Sequence, residues 1–319
     1  MRKLTRIFLL ALMVSVCQTA FAQTFKGDPY SWGMQFFENK EYKKAVNSFR
    51  NGANQGDPRA LFYLGNCYLD GYGVEKDAQE AVKWYRKATE KHYAPAQAFL
   101  GLCYDEGNGV ARDPQEAAKW FQKAAAQGYA PAQHRLGVKY QTGNGVPQDQ
   151  QKAVKLFRKS AEQDFDDAQL DLGICYLNGT GVAKNLQEAA MWFKKAAEQN
   201  NAKAQYCLGY CYAQGWGVAQ DNNTAVKWFL KAAKQGNTDA QNCIGLCYLN
   251  GADDPQKAFK WFQMAAENGN AGAQNNLGYC YMNGIGVKKD LQEAEKWFQK
   301  AAAQGNNDAK NNLEKMHKQ

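Results

Sequence analysis

Serine is almost missing from this chain. Beyond residue 22 only Ser31, Ser48 and Ser160 occur. None begins an S-x-x-K string and no G-x-S-x-G is present, so the common serine-nucleophile motifs are excluded. Histidine is as scarce. His92, His134 and His317 are the full set, and none stands at catalytic or metal-ligand spacing from a cysteine or carboxylate. There is no Walker string. Seven prolines and 29 glycines in 319 residues exclude collagen-like and low-complexity chains. Past the N-terminus no apolar run is long enough to cross a bilayer, which excludes a polytopic membrane protein. What is present is core material: 45% hydrophobic and 13% aromatic residues, too much for a disordered chain.

The first 22 residues read as a secretory signal. Arg2, Lys3 and Arg6 form a positive head, Ile7 to Val16 an apolar stretch, and Ala20-Phe21-Ala22 a small-residue cleavage site. Cleavage after Ala22 starts the mature chain at Gln23 and implies a periplasmic or secreted address, with no stable membrane insertion afterwards. Cys17 follows Val16, where a lipoprotein signal carries a small residue, so lipidation there is disfavoured. Removing Arg2, Lys3 and Arg6 lowers the net charge from +8 to +5. That dispersed excess does not call for nucleic acid.

Self-similarity organises the rest. An LGxCYxxGxGV string begins at Leu64, Leu100, Leu136, Leu172 and Leu208, a period of 36 residues, and returns at Ile244 and, after 33, at Leu277. The third copy carries Lys139 in place of cysteine, and the sixth loses its loop, running from Gly251 into Asp254-Pro255. A second string, EAxxWFxxAAxxG, follows each copy, as in Glu116-Ala117 with Trp120-Phe121 and Ala124-Ala125. Apolar spacings of three and four make both strings amphipathic helices, A and B. Asp77…Glu80, Asp113…Glu116 and Asp290…Glu293 have capping-box spacing, and Gly71 and its equivalents stand where helix A must stop. The G-x-G triplets follow no strand, so they are not a dinucleotide fingerprint.

Each unit is therefore an antiparallel hairpin that buries its apolar face only by stacking on its neighbours. Gly65 and Ala81 let A and B approach closely, and Trp84/Tyr85 fill the space between layers. The expected fold is all-α, a right-handed α-solenoid of antiparallel helix hairpins. Residues 23–56 form a shorter capping hairpin, 57–305 seven repeats, and 306–319 a capping helix and polar tail.

These motifs resemble Sel1-like repeats, relatives of the tetratricopeptide repeat, over nearly all of the mature chain. The resemblance implies a curved scaffold or adaptor that binds proteins or peptides, and similar bacterial proteins are often exported. One subgroup, the Helicobacter cysteine-rich proteins, staples helix B to the next helix A by a disulfide. Here the helix-B position holds alanine, as in Lys123-Ala124-Ala125, so that staple cannot form. The alternative function, a cell-wall or β-lactam-directed hydrolase, comes from that subgroup alone.

Eight cysteines follow the signal, six of them at one repeat position: Cys67, Cys103, Cys175, Cys211, Cys247 and Cys280. An even count in an exported chain points to disulfides. Yet neighbouring A helices lie about 8–10 Å apart, while a disulfide needs Cα atoms within about 7 Å. Buried small apolar residues is the better reading. No metal and no cofactor are expected.

Two surfaces are candidates for function. In tetratricopeptide-like folds the concave face is lined by helix-A positions around the central glycine. Here those are Leu170, Ile174, Leu177, Tyr206, Tyr210, Asn242, Leu246, Leu249, Asn275, Tyr279 and Met282. Apolar anchors alternating with amides suit an extended peptide; the same Leu and Ile also suit sealing the stack's own core. The second surface is a lysine ladder on helix B, with Lys83, Lys119, Lys155, Lys227, Lys260 and Lys296 on one rung and Lys87, Lys123, Lys159, Lys195, Lys231 and Lys300 on another. It reads either as a docking surface for an anionic polymer or as a solvated face offset by Glu80, Glu116 and Glu293. The expected function is an exported, non-enzymatic scaffold with a protein or peptide partner, with homo-oligomerisation through the end caps as a third, structural reading.

Overall fold

The computed structural model describes residues 27–250 and 254–317; the signal peptide expected over 1–22 lies outside them. The described residues form seventeen α-helices and no strand. They fall into two compact units, divided after Gln148.

The first unit holds α1 (Pro29–Glu38), α2 (Tyr42–Asn54), α3 (Pro58–Asp70), α4 (Ala78–Glu90), α5 (Ala94–Glu106), α6 (Pro114–Ala126) and α7 (Ala130–Thr142). The second holds α8 (Gln150–Ala161), α9 (Asp166–Asn178), α10 (Leu186–Glu198), α11 (Ala202–Gln214), α12 (Asn222–Lys234), α13 (Thr238–Asn250), α14 (Pro255–Glu267), α15 (Ala271–Asn283), α16 (Leu291–Ala303) and α17 (Asn307–His317). From α3 onward the odd helices are the A helices and the even ones the B helices. Within each unit every helix packs on its predecessor and its successor, and the A and B helices of one repeat pair as a hairpin.

The hairpin contact follows from one glycine. At Gly101 on α5 a Cβ would sit 2.9 Å from the Phe121 ring and 3.2 Å from the Ala117 carbonyl oxygen. Only glycine admits so close a crossing. The ring that fills the gap, Tyr85, Phe121, Phe193, Phe229, Phe262 or Phe298, is buried in each of these hairpins. Burying such a ring contributes roughly 1.5–3 kcal/mol.

The caps are built as the spacing predicts. Asp57 accepts from the Arg59 N–H at 2.8 Å, ahead of Pro58 in the first turn. Asp113 accepts from the Glu116 N–H at 2.9 Å. Helix α5 stops at Gly107, whose φ of 74° is left-handed. The second loop glycine has a different reason. A Cβ on Gly109 would lie 2.1 Å from the Ala78 carbonyl oxygen, in the first turn of the preceding B helix. The first glycine ends the helix, and the second lets the loop lie on the previous repeat.

The adjacent Trp and Phe of helix B have separate parts. Phe enters the core. Trp84 and Trp120 are half-buried, each roofed by the lysine three residues on: Lys87 Nζ stands 4.0 Å from the Trp84 ring centre and Lys123 Nζ 3.9 Å from that of Trp120.

A buried glutamine ties three successive helices. Gln205 on α11 donates to the Ala197 carbonyl at the end of α10 (3.2 Å) and accepts from Gln235 at the end of α12 (2.8 Å). Gln169 with Gln199, and Gln274 with Gln304, repeat the strut.

Candidate binding face

All eleven groove candidates lie on A helices of the second unit. On α9, α11, α13 and α15 they recur at spacings of three and four, which is one stripe along each helix. The structure sorts them by depth. Leu170 is buried and supports the stripe from below. Ile174, Leu177, Tyr206, Asn242, Asn275 and Met282 are half-buried. Leu246 and Leu249 are half-buried too and pack on the cluster around Phe262 and Leu277. Tyr210 and Tyr279 stand out, 38% and 44% exposed. They occupy the same position in two repeats, with Leu246 at that position on the helix between.

Tyr210 is not isolated. Its ring centre lies 6.3 Å from Tyr206 and 5.3 Å, edge-on, from Trp216. Trp216 stands inside the G-x-G loop, where other repeats carry Tyr72, Asn108 or Thr180. Sequence reasoning passed over it as a loop residue; an aromatic at an otherwise variable loop position was the available signal. Tyr206 also packs on Phe229 at 5.9 Å. Burial first, and then the Cys243 thiol and the Asp239 carboxylate, raise the pKa of its hydroxyl.

The amides are partly engaged. Asn242 Oδ1 accepts from Asn276 at 2.8 Å, and Asn275 Oδ1 accepts from Asn312 at 3.0 Å. One turn earlier on the same stripe stand Asp167, Lys203 and Asp239, a row the sequence reading had left aside. Asp239 accepts from Asn270 at 2.8 Å, and Asp167 from Asn201 at 3.3 Å.

The other candidate groups are occupied or sheltered. Of the ladder lysines, Lys83 pairs with Glu80 at 2.8 Å, Lys119 with Glu116 at 3.0 Å and Lys296 with Glu293 at 2.9 Å, while Lys87, Lys123, Lys195, Lys231 and Lys300 cover tryptophans. The eight cysteines of the described residues are free thiols. Burial pushes seven of these thiols up, to about 12 at Cys67, Cys207 and Cys243 and about 11 at Cys175, Cys211 and Cys280, with Cys247 raised as well. Such thiols stay protonated at neutral pH, the reverse of an activated nucleophile. Lys139, at the cysteine position of the third repeat, is buried and paired with Asp105 on the neighbouring A helix. Among the described residues no three His, Cys, Asp or Glu side chains converge to hold a metal, and no helix is long and apolar enough to cross a membrane.

The repeat geometry has counterparts. The Sel1 repeat profile matches seven consecutive segments, 58–93, 94–129, 130–165, 166–201, 202–237, 238–270 and 271–306. The chain belongs to the Sel1 repeat family. A Sel1 repeat protein from Oxalobacter formigenes is 35% identical over 90% of this chain and 85% of its own, with a TM-score of 0.67. The protein c5321, a protective antigen of uropathogenic Escherichia coli strains displaying an SLR fold, is 34% identical over 89% of this chain and 70% of its own, with a TM-score of 0.63. No curated protein sequence matches. Sel1 repeat proteins are in general protein-interaction scaffolds without catalytic machinery.

Proposed function

We propose that this Sel1 repeat protein is an exported scaffold that takes an extended segment of a partner protein along the helix-A stripe of residues 166–283. The observation that carries this reading is the exposure of Tyr210 and Tyr279 at one repeat position on α11 and α15. Large aromatics are the side chains that anchor interfaces, and here two of them recur in register beside polar amides. Tyr206 and Trp216 hold Tyr210 from behind, so its ring is pre-ordered and little rotamer entropy is lost on binding. The amide N–H groups of Asn242 and Asn275 supply donors for a peptide backbone, their oxygens being used within the protein. Export rests on the charged head, apolar stretch and Ala20-Phe21-Ala22 site of the first 22 residues.

The test pairs capture with stability. Tyr210→Ala with Leu246→Ala should abolish capture of the partner from envelope extracts while the far-UV circular dichroism spectrum and the unfolding curve stay close to the parent's. A photo-crosslinking residue at position 279 should form one discrete adduct. Unchanged capture by the double variant removes this stripe from consideration.

A further inference from the structure

The charge on the stripe names the kind of segment it takes, provided the stripe is the binding face. The ionised side chains of α9, α11, α13 and α15 are Asp166, Asp167, Asp171 and Asp239 against Lys203 alone. On the intervening B helices Lys195 and Lys231 cover Trp192 and Trp228, Lys194 pairs with Glu198, and Lys257 pairs with Asp254. Four carboxylates against one ammonium leave these A helices net acidic as a set, with the acids on α9 and α13, Lys203 on α11 and no charge on α15.

The aromatic groups beside the acids add to the same preference. The negative faces of Tyr206, Tyr210 and Trp216 attract an ammonium or guanidinium group. Asp239 stands on the helix next to Tyr206, and its influence on the Tyr206 hydroxyl marks the two as neighbours. Asn201 and Asn270 satisfy one oxygen of Asp167 and of Asp239, and each carboxylate has a second oxygen.

We propose that the bound segment is a basic, extended peptide whose lysine or arginine side chains meet Asp167 and Asp239 while its apolar side chains rest on Tyr210 and Tyr279. Spacing follows from geometry. An extended chain advances about 3.3 Å per residue and neighbouring A helices stand about 8–10 Å apart, so roughly every third residue meets the next helix. Asp167 and Asp239 are two A helices apart, with Lys203 at the same position between them. The basic residues that face the two acids are therefore about six positions apart, and an uncharged or acidic residue faces Lys203 midway.

Fluorescence anisotropy with labelled peptides tests this on the full mature chain. The peptides share one alternating Leu/Asn pattern and carry Lys, Gln or Glu at two positions six apart. The Lys peptide should bind at least about tenfold tighter than the Glu peptide at low salt, with the gap narrowing as salt rises. Asp167→Asn with Asp239→Asn should erase the gap, and Lys203→Gln should widen it. Equal affinity for all three peptides, no binding by any of them, or a gap that survives the aspartate variants overturns the proposal. Failure of the underlying site looks different: Tyr210→Ala and Tyr279→Ala would leave peptide binding and partner capture unchanged. Charge-blind binding that is still lost in the tyrosine variants would retire the basic segment and leave the stripe in place.

Discussion

Asn268 stops one methylene short of Gln241. In the other complete struts of the second unit a glutamine at the end of helix B donates to the buried glutamine of its own helix A, as Gln235 does to Gln205 at 2.8 Å. In the sixth repeat the donor position holds Asn268, whose Nδ2 turns instead to the Met264 carbonyl at 2.8 Å. Gln241 Oε1 is left buried without a partner. Asn268→Gln should complete the strut and raise the unfolding free energy by about 1 kcal/mol, the net value of a typical hydrogen bond. Urea denaturation of parent and variant measures it; an unchanged midpoint would show that Gln241 is already satisfied by solvent.

The tryptophans of helix B offer a second case of divided loyalty. Glu80 and Glu116 pair with Lys83 and Lys119, and the indole N–H groups of Trp84 and Trp120 are buried with no partner among the described residues. In the fourth repeat the lysine is replaced by Met191, and there Glu188 accepts from the Trp192 indole at 3.1 Å. Lys83→Met should release Glu80 to Trp84. The expected outcome is a higher melting temperature together with a change in tryptophan emission, despite the loss of an exposed ion pair. A lower melting temperature would mean that the ion pair outweighs the indole bond.

Lys139 and Asp105 are asymmetric partners. Lys139 is 4% exposed and Asp105 25%. Asp105→Asn strands a buried ammonium and should cost about 2–4 kcal/mol. Lys139→Met removes the charge and fills the same space, so it should be neutral or stabilising, and it restores an uncharged sulfur-containing side chain at this repeat position. Equal losses in the two variants would argue that the pair itself supplies net stability.

The thiols set an alkaline limit. Burial raises Cys243 from 9.0 to about 12 and Cys280 to about 11. For an acid whose folded pKa is raised, the folded chain holds the proton that the unfolded chain has released. The contribution is whole below the unfolded value and disappears as pH climbs through the folded one. Stability should therefore fall from about pH 9 toward pH 12. Cys243→Ala should make that slope shallower by up to one proton. Equilibrium denaturation across this range reads it, and an unaltered slope would place the titration on other groups.

Hairpins and their stops were legible because the LGxCYxxGxGV string repeats whole, which fixes Gly101 against Phe121 and Gly107 at the helix end. The Trp–Phe pair was half legible. Adjacent residues on a helix point about 100° apart, so one must enter the core, but the pattern does not say which. The glutamine strut was hidden, since glutamine at the end of a helix reads as solvated surface until its partner 30 positions away is known. The candidate face was legible as a stripe, not as a ranking. Leu170 and Tyr210 look equally apolar in sequence, and only the packing of neighbouring helices buries the first and leaves the second in solvent.

The second loop glycine has a consequence for how such a chain changes length. Gly109 rests on the first carbonyl of α4, and Gly145, Gly181, Gly217 and Gly286 rest in the same way on the helix one repeat upstream. Each repeat that keeps the G-x-G loop thus carries the socket for its predecessor. Duplicating or excising a whole repeat leaves matched joints on either side, whereas one residue added to the loop would lift the socket off its carbonyl. Gene-level gain and loss in whole-repeat steps is the inexpensive route to a longer or shorter platform, and copy number becomes a property that selection can adjust without redesigning any joint.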